Sequence, residues 1–185
     1  MTKVILYIAA SLDGFIARSD GDISWLDRYQ SGTEDYGYAD FYKKIGACIM
    51  GSKTYERALT LKGGIDNKMP TYVVTSRQLP VPPGADITFY SGDLPQLLEM
   101  IRKKTRKDIW LVGGGQLARS FFKERLIDDI ILSVIPLIMG EGISLFGSVQ
   151  QEIDLNLAKS ISYSSGIVQI HYTAKYIKTR SEERL

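Results

Sequence analysis

The chain of 185 residues has one cysteine and one histidine. A lone thiol, Cys48, excludes an internal disulfide and a cysteine-built zinc site, and no cluster of His, Cys, Asp and Glu has metal-ligand spacing. An excess of one charge is missing too. Lys and Arg number 23 against 21 Asp and Glu, so nothing in the net charge of +2 points to nucleic acid or to an anionic membrane. The basic run from Arg102 to Lys107 falls at the expected end of a helix, where cations suit the helix dipole. No apolar run approaches the roughly 18 residues of a membrane span. The amino-terminal apolar stretch within Met1 to Gly14 is too short for a secretory signal with its cleavage site. These absences predict a single cytoplasmic domain over residues 1–178, with 179–185 a frayed tail.

What is present reads as an α/β protein. "KVILYIAA" (Lys3 to Ala10) is continuously apolar, as a strand covered on both faces by helices must be. The pattern recurs in Ala47 to Gly51, Thr71 to Thr75, Ile87 to Tyr90 and Ile109 to Gly113. Between these lie helical spacings. Leu94, Leu97, Leu98 and Ile101 predict a helix over Leu94 to Lys104, with Asp93 as its N-cap. Ser52 begins a shorter one with Tyr55, Ala58 and Leu59 inside, Gln116 to Arg125 forms another, and Asp35 to Lys44 a fourth that Gly37 weakens. After Ile127, two alternating runs separated by "SSG" predict an antiparallel hairpin, so a mostly parallel sheet should finish on an antiparallel edge. His171 falls on the polar face of the last run and is expected to be solvated, and Cys48 to be an inert core thiol.

The chemistry-bearing stretch is "IWLVGGGQL", Ile109 to Leu117. Three glycines between a strand and a helix cost backbone entropy unless something must approach the main chain closely. A helix that starts there presents unpaired amides and its positive dipole end, which suits a phosphate. "GGGQLA" satisfies the G-x-G-x-x-[GA] pattern, but Asp128 and Asp129 come too early to hold a ribose, so the ordinary dinucleotide fold is not expected.

In order along the chain, "IAASLDGFIA", Trp25, "IMGSKTYE", "YVVTSR", "LVGGGQL" and "LIDDIILSVIPLIMGEGISLF" resemble the dihydrofolate reductase superfamily. The likeness is greatest to the reductase domain of the bacterial bifunctional riboflavin deaminase-reductase. It implies a three-layer fold with helices on both sides of the sheet and an NADPH-dependent oxidoreductase acting on a small heterocyclic, imine or carbonyl substrate. By resemblance, Val112, Gly113, Gly114, Gly115, Gln116 and Leu117 cradle the NADPH pyrophosphate, and the superfamily often carries a cis peptide between the first two glycines, here Gly113 and Gly114. Gly51, Ser52, Lys53 and Thr54 supply amides, a cation and a hydroxyl, and Thr75, Ser76 and Arg77 meet the 2′-phosphate. Lys53 and Arg77 converging on that dianion would favour NADPH over NADH.

Ala9 and Ala10 become the floor under the nicotinamide, and Ser11 to Trp25 a mobile lid that brings Ser11, Asp13 and Trp25 to the substrate pocket. Of the tyrosines near that pocket, Tyr36, Tyr38 and Tyr42, Tyr38 is expected to line it. The superfamily's proton donor is a carboxylate on the first helix. Counting back from Met50 selects Asp35, aligning Phe41 selects Gly37, and Glu34 and Asp40 lie within a turn. Asp35 is the expected acid. The riboflavin branch carries a lysine and an acidic residue where this chain has Tyr7 and Val112. A homodimer is also implied, with the carboxyl-terminal hairpin able to supply its interface. The alternative is a nucleotide-binding module of the same fold that has lost catalysis.

Overall fold

The structure is a computed structural model and describes residues 1–30, 34–61, 63–147, 149 and 152–176. In chain order the strands and helices are β1 (Val4–Ser11), β2 (Phe15–Ala17), α1 (Asp27–Gln30), α2 (Tyr38–Tyr42), β3 (Ile45–Gly51), α3 (Ser52–Thr60), β4 (Thr71–Val74), β5 (Ile87–Tyr90), α4 (Leu94–Lys104), β6 (Asp108–Gly113), α5 (Gly115–Lys123), β7 (Asp129–Ile135), β8 (Ile143–Ser144), β9 (Asp154–Ser162) and β10 (Val168–Lys175). Eight strands form one sheet in the order β5-β4-β3-β6-β1-β7-β10-β9. The first six run parallel, and β10 pairs antiparallel with both β7 and β9, as the change of patterning after Ile127 predicts. A two-stranded ribbon of β2 and β8, which no sequence signal announced, stands apart.

Helices cover both faces, each for the reason its apolar spacing gives. On one side Leu94, Leu97, Leu98 and Ile101 of α4 and Leu117, Ala118, Phe121 and Phe122 of α5 bury against Val4, Leu6, Ile49 and Leu111. On the other, Phe41 of α2 packs on Ile5, Ile45, Cys48 and Met69, and Tyr55 of α3 on Met50 and Val73. Cys48 is buried, with its thiol pushed up to about 12 by desolvation, which fits an inert packing residue.

Three expectations change. The helix expected over Asp35 to Lys44 is reduced to Tyr38–Tyr42, because Tyr36 and Gly37 turn left-handed at φ +54° and +75°. Asp93 occupies the N-cap position of α4 without a side-chain cap bond, and Gln96 Nε2 donates to its carboxylate instead. His171 is half-buried rather than solvated. Register aligns Asp129 with Thr173 and Ile131 with His171, which brings His171 Nε2 within 3.6 Å of buried Asp129. Burial opposes ionisation of Asp129, yet Lys3 Nζ at 2.8 Å and the Thr173 hydroxyl at 3.0 Å hold its carboxyl below the usual range.

Candidate functional site

Strands β3 and β6 end side by side, with Met50 opposite Gly113, and each turns directly into a helix of nine residues. The residues before those helices are Gly51 and Gly114, and neither helix start has a side-chain cap. First-turn amides of α3 and α5 therefore face one region beyond the carboxyl ends of two neighbouring strands. Gly113 and Gly114 adopt φ of +119° and +93°, which side chains resist, and the Thr54 hydroxyl ties the two turns by donating to the Gly113 carbonyl at 3.3 Å. No cis peptide occurs among the described residues, so the one the superfamily often carries is not found between Gly113 and Gly114, where positive φ at both glycines makes the turn.

The glycines also answer a packing demand. A Cβ on Gly115 would lie 2.5 Å from the Ser144 carbonyl oxygen, and one on Gly114 2.9 Å from Thr54 Oγ1. Around this region Gln116 and Lys53 are exposed, Leu117 is buried in the core, and half-buried Val112 packs on the α2 and α3 side of the sheet. Ser52 and Thr75 are half-buried and Ser76 is exposed. Arg77 and Lys53 both act on the Glu56 carboxylate, and Arg77 is the one bonded to it. Its guanidinium makes a two-pronged contact with Glu56 of α3, at 3.1 and 2.9 Å, and the Thr75 hydroxyl oxygen accepts from the Arg77 amide.

A cavity of about 250 Å3 opens on the same face of the sheet as α2. Register builds its floor: Ala9 lies opposite Ser133, and Ser133 opposite Gln169. Tyr7, Tyr29, Tyr36, Tyr38 and Trp110 make the walls, with Asp35 and Ile167 completing them. Trp110 Nε1 donates to the Tyr7 carbonyl, and Gln169 Nε2 donates to Ser133 Oγ and to the Tyr36 carbonyl, which fixes the floor. The Tyr7 hydroxyl donates to the Tyr36 carbonyl, and desolvation pushes its pKa up to about 12. Ile8 joins the two regions: it lines the cavity, and its Cδ1 sits 3.0 Å from where a Gly113 Cβ would be.

Ala9, Asp35 and Tyr38 of the expected site thus border the cavity, and Asp35 also accepts from the amides of Gly37 and Ala39. Alternation along β1 turns the Ala10 methyl the other way, into the α4 and α5 core. Trp25 is buried behind the wall with Ile135 and Ile167. Ser11 and Asp13 are occupied locally. The Ser11 hydroxyl donates to Asp13 at 2.5 Å, and Asp13 accepts from the amides of Met139 and Gly140. The stretch expected to act as a lid is tied at three places: at Asp13, by the pairing of β2 with β8, and by Asp22, which accepts from Arg57 of α3. Tyr7, Trp110, Ser133 and Gln169 escaped the sequence reading of the pocket. Two signals pointed to the first of them: the side-chain alternation it shares with Ala9, and its place where the riboflavin branch carries a lysine.

The Asp13 tie gives a pH test. The Ser11 hydroxyl first, and then the Met139 amide, hold its carboxyl down at about 2, against an ordinary value of 3.8. A depressed folded pKa means the tie is complete above the ordinary value and is lost as pH falls toward the folded one. The melting-temperature gap between wild type and Asp13→Asn is expected to be constant above about pH 4 and to close between roughly 4 and 2.

The model of the RibD C-terminal domain family matches residues 2–169. An uncharacterized Bacillus subtilis protein, YwjB, is 35% identical over 170 residues, 92% of this chain and 97% of its own length. The crystal structure of a Shewanella sp. PV-4 protein assigned to riboflavin biosynthesis superposes with a TM-score of 0.84 at 26% identity, over 94% of this chain and 99% of that one. A Thermotoga maritima structure, named as a deaminase and 5-amino-6-(5-phosphoribosylamino)uracil reductase, shares the fold. Its TM-score is 0.69 at 16% identity, over 94% of this chain and 57% of its own.

Proposed function

Because the chain belongs to the RibD C-terminal domain family, we propose that it is an NADPH-dependent reductase acting on a small heterocyclic, imine or carbonyl substrate. The observation that carries this reading is the pair of uncapped helix starts at Gly51 and Gly114, one isoleucine away from an aromatic cavity. Bound NADPH would supply a hydride. The amides of α3 and α5 suit the charge of its pyrophosphate, and Gly113 and Gly114 leave the main chain open to it. Arg77, released from Glu56, would take the 2′-phosphate. Ala9 leaves room for a flat ring beside Ser133, and the Asp35 carboxylate would pass to the reduced atom a proton drawn from solvent.

The test is the loss of NADPH absorbance with a panel of reducible heterocycles and imines. Sustained turnover is expected. Nucleotide binding without turnover would identify the non-catalytic module instead, and neither binding nor turnover would overturn the reading. We further propose that two copies pair through β9, an edge strand of nine residues with Leu155 40% and Leu157 60% exposed. Leu157→Lys is expected to give a monomer by light scattering. An unchanged mass for that variant would place the interface elsewhere, and a monomeric wild type would remove it.

A further inference from the structure

We infer that the aromatic cavity selects an uncharged planar ring and rejects a substrate carrying a phosphate monoester. The inference rests on the reductase reading and deepens it by naming the substrate class. Among the described residues no lysine, arginine or histidine lines the cavity, and its one acidic side chain is that of Asp35.

Apart from Asp35, the polar groups at its floor and walls are neutral, and several bond to one another. Gln169 Nε2 serves the Tyr36 carbonyl at 3.1 Å, Ser133 Oγ at 3.2 Å and the Tyr7 hydroxyl at 3.4 Å. The Tyr7 proton is given to the Tyr36 carbonyl, and the Tyr36 hydroxyl donates to the Tyr29 carbonyl. What remains for a ligand includes the Ser133 hydroxyl proton, the hydroxyls of Tyr29 and Tyr38, the acceptor oxygens of Asp35 and the ring faces. Tyr38 stacks 6.2 Å from Tyr7 and meets Trp110 edge-on at 5.8 Å, a surface suited to a flat π-system.

A phosphate dianion entering this space would lose its hydration, find no cation among the lining residues and face a carboxylate of the same sign. A neutral ring with an N–H or amino group would instead donate to Asp35 and stack. The chemistry therefore differs from that implied by the phosphoribosyl group in the name of the Thermotoga maritima protein. Among the described residues, the Arg28 guanidinium lies over the Tyr29 ring of the wall, 4.9 Å from its centroid. Its position makes it the group to remove in the test.

The experiment titrates the full-length protein calorimetrically with 5-amino-6-ribosylaminouracil and, separately, with its 5′-phosphate, the phosphoribosylamino compound named for the Thermotoga maritima protein, and runs an NADPH titration in parallel. Expected is at least tenfold tighter binding of the unphosphorylated compound, a gap that narrows in Asp35→Asn and persists in Arg28→Gln. Equal or tighter binding of the phosphate, including phosphate binding that Arg28→Gln abolishes, overturns the inference. So does failure of both compounds to bind. NADPH binding without the preference sinks this inference and leaves the reductase reading. The preference without NADPH binding upholds the selectivity and sinks the reductase reading.

Discussion

Gly115→Ala is expected to destabilise the protein by about 1–3 kcal/mol, the usual cost of overpacking, although alanine is the better helix former by about 1 kcal/mol. Gly115 is the first residue of α5, and its added methyl would lie 2.5 Å from the Ser144 carbonyl oxygen and 3.0 Å from an Arg119 nitrogen. The carbonyl cannot swing aside like a side chain, because Ser144 pairs with Phe15 and its oxygen already accepts from Arg119. Helix α5 must therefore shift away from the β2 and β8 ribbon, and the start of α5 shifts with it. Two neighbouring variants calibrate the effect in urea denaturation. Gly51→Ala meets only Leu117 Cβ, at 3.9 Å, and Gln116→Ala changes an exposed residue, so both should stay within about 0.5 kcal/mol of wild type. A Gly115→Ala protein as stable as wild type would contradict the close approach on which the mouth of the site is built.

Arg77→Ala is expected to weaken NADPH binding about 10-fold to 100-fold, the range for a lost charge-assisted contact, and to leave NADH unchanged. In the structure Arg77 is held by Glu56, whose carboxyl the guanidinium keeps below its usual range. Both partners are well exposed, and ion pairs in that setting contribute little, so a phosphate dianion can displace the carboxylate. Glu56→Gln should then act in the opposite direction and tighten NADPH binding without changing NADH, because Arg77 no longer has a competing anion. Equal losses for both nucleotides in Arg77→Ala would show that the residue supports the loop rather than reading the 2′-phosphate.

These two variants mark the divide between what the sequence made legible and what it did not. Helix α4 could be read to the residue, since Leu94, Leu97, Leu98 and Ile101 all turn one face to the core. The parallel strands were visible for the same reason: a strand buried on both faces is apolar throughout. The glycine run announced a close approach, yet sequence could not say that Ser144 is one of the groups approaching. Pairing of Arg77 with Glu56 joins positions 21 residues apart through the folding of α3 onto β4, which no local pattern encodes. The cavity floor is likewise a product of register, because Ala9, Ser133 and Gln169 become neighbours only when β1, β7 and β10 align. Ser11, Asp13 and Trp25 mislead for the complementary reason. Their stretch resembles a binding loop, while Asp13 is consumed in tying that loop to Met139 and Gly140 and Trp25 in packing beneath it.

The most direct measurement follows backbone amide resonances of the isotopically labelled protein as NADPH is added. The account predicts saturable shifts that are largest at Gly114, Gly115 and Gln116 and at Ser52 and Lys53, the first turns of α5 and α3. Absence of binding by the folded protein, or binding that moves other amides and leaves these five unchanged, would contradict it.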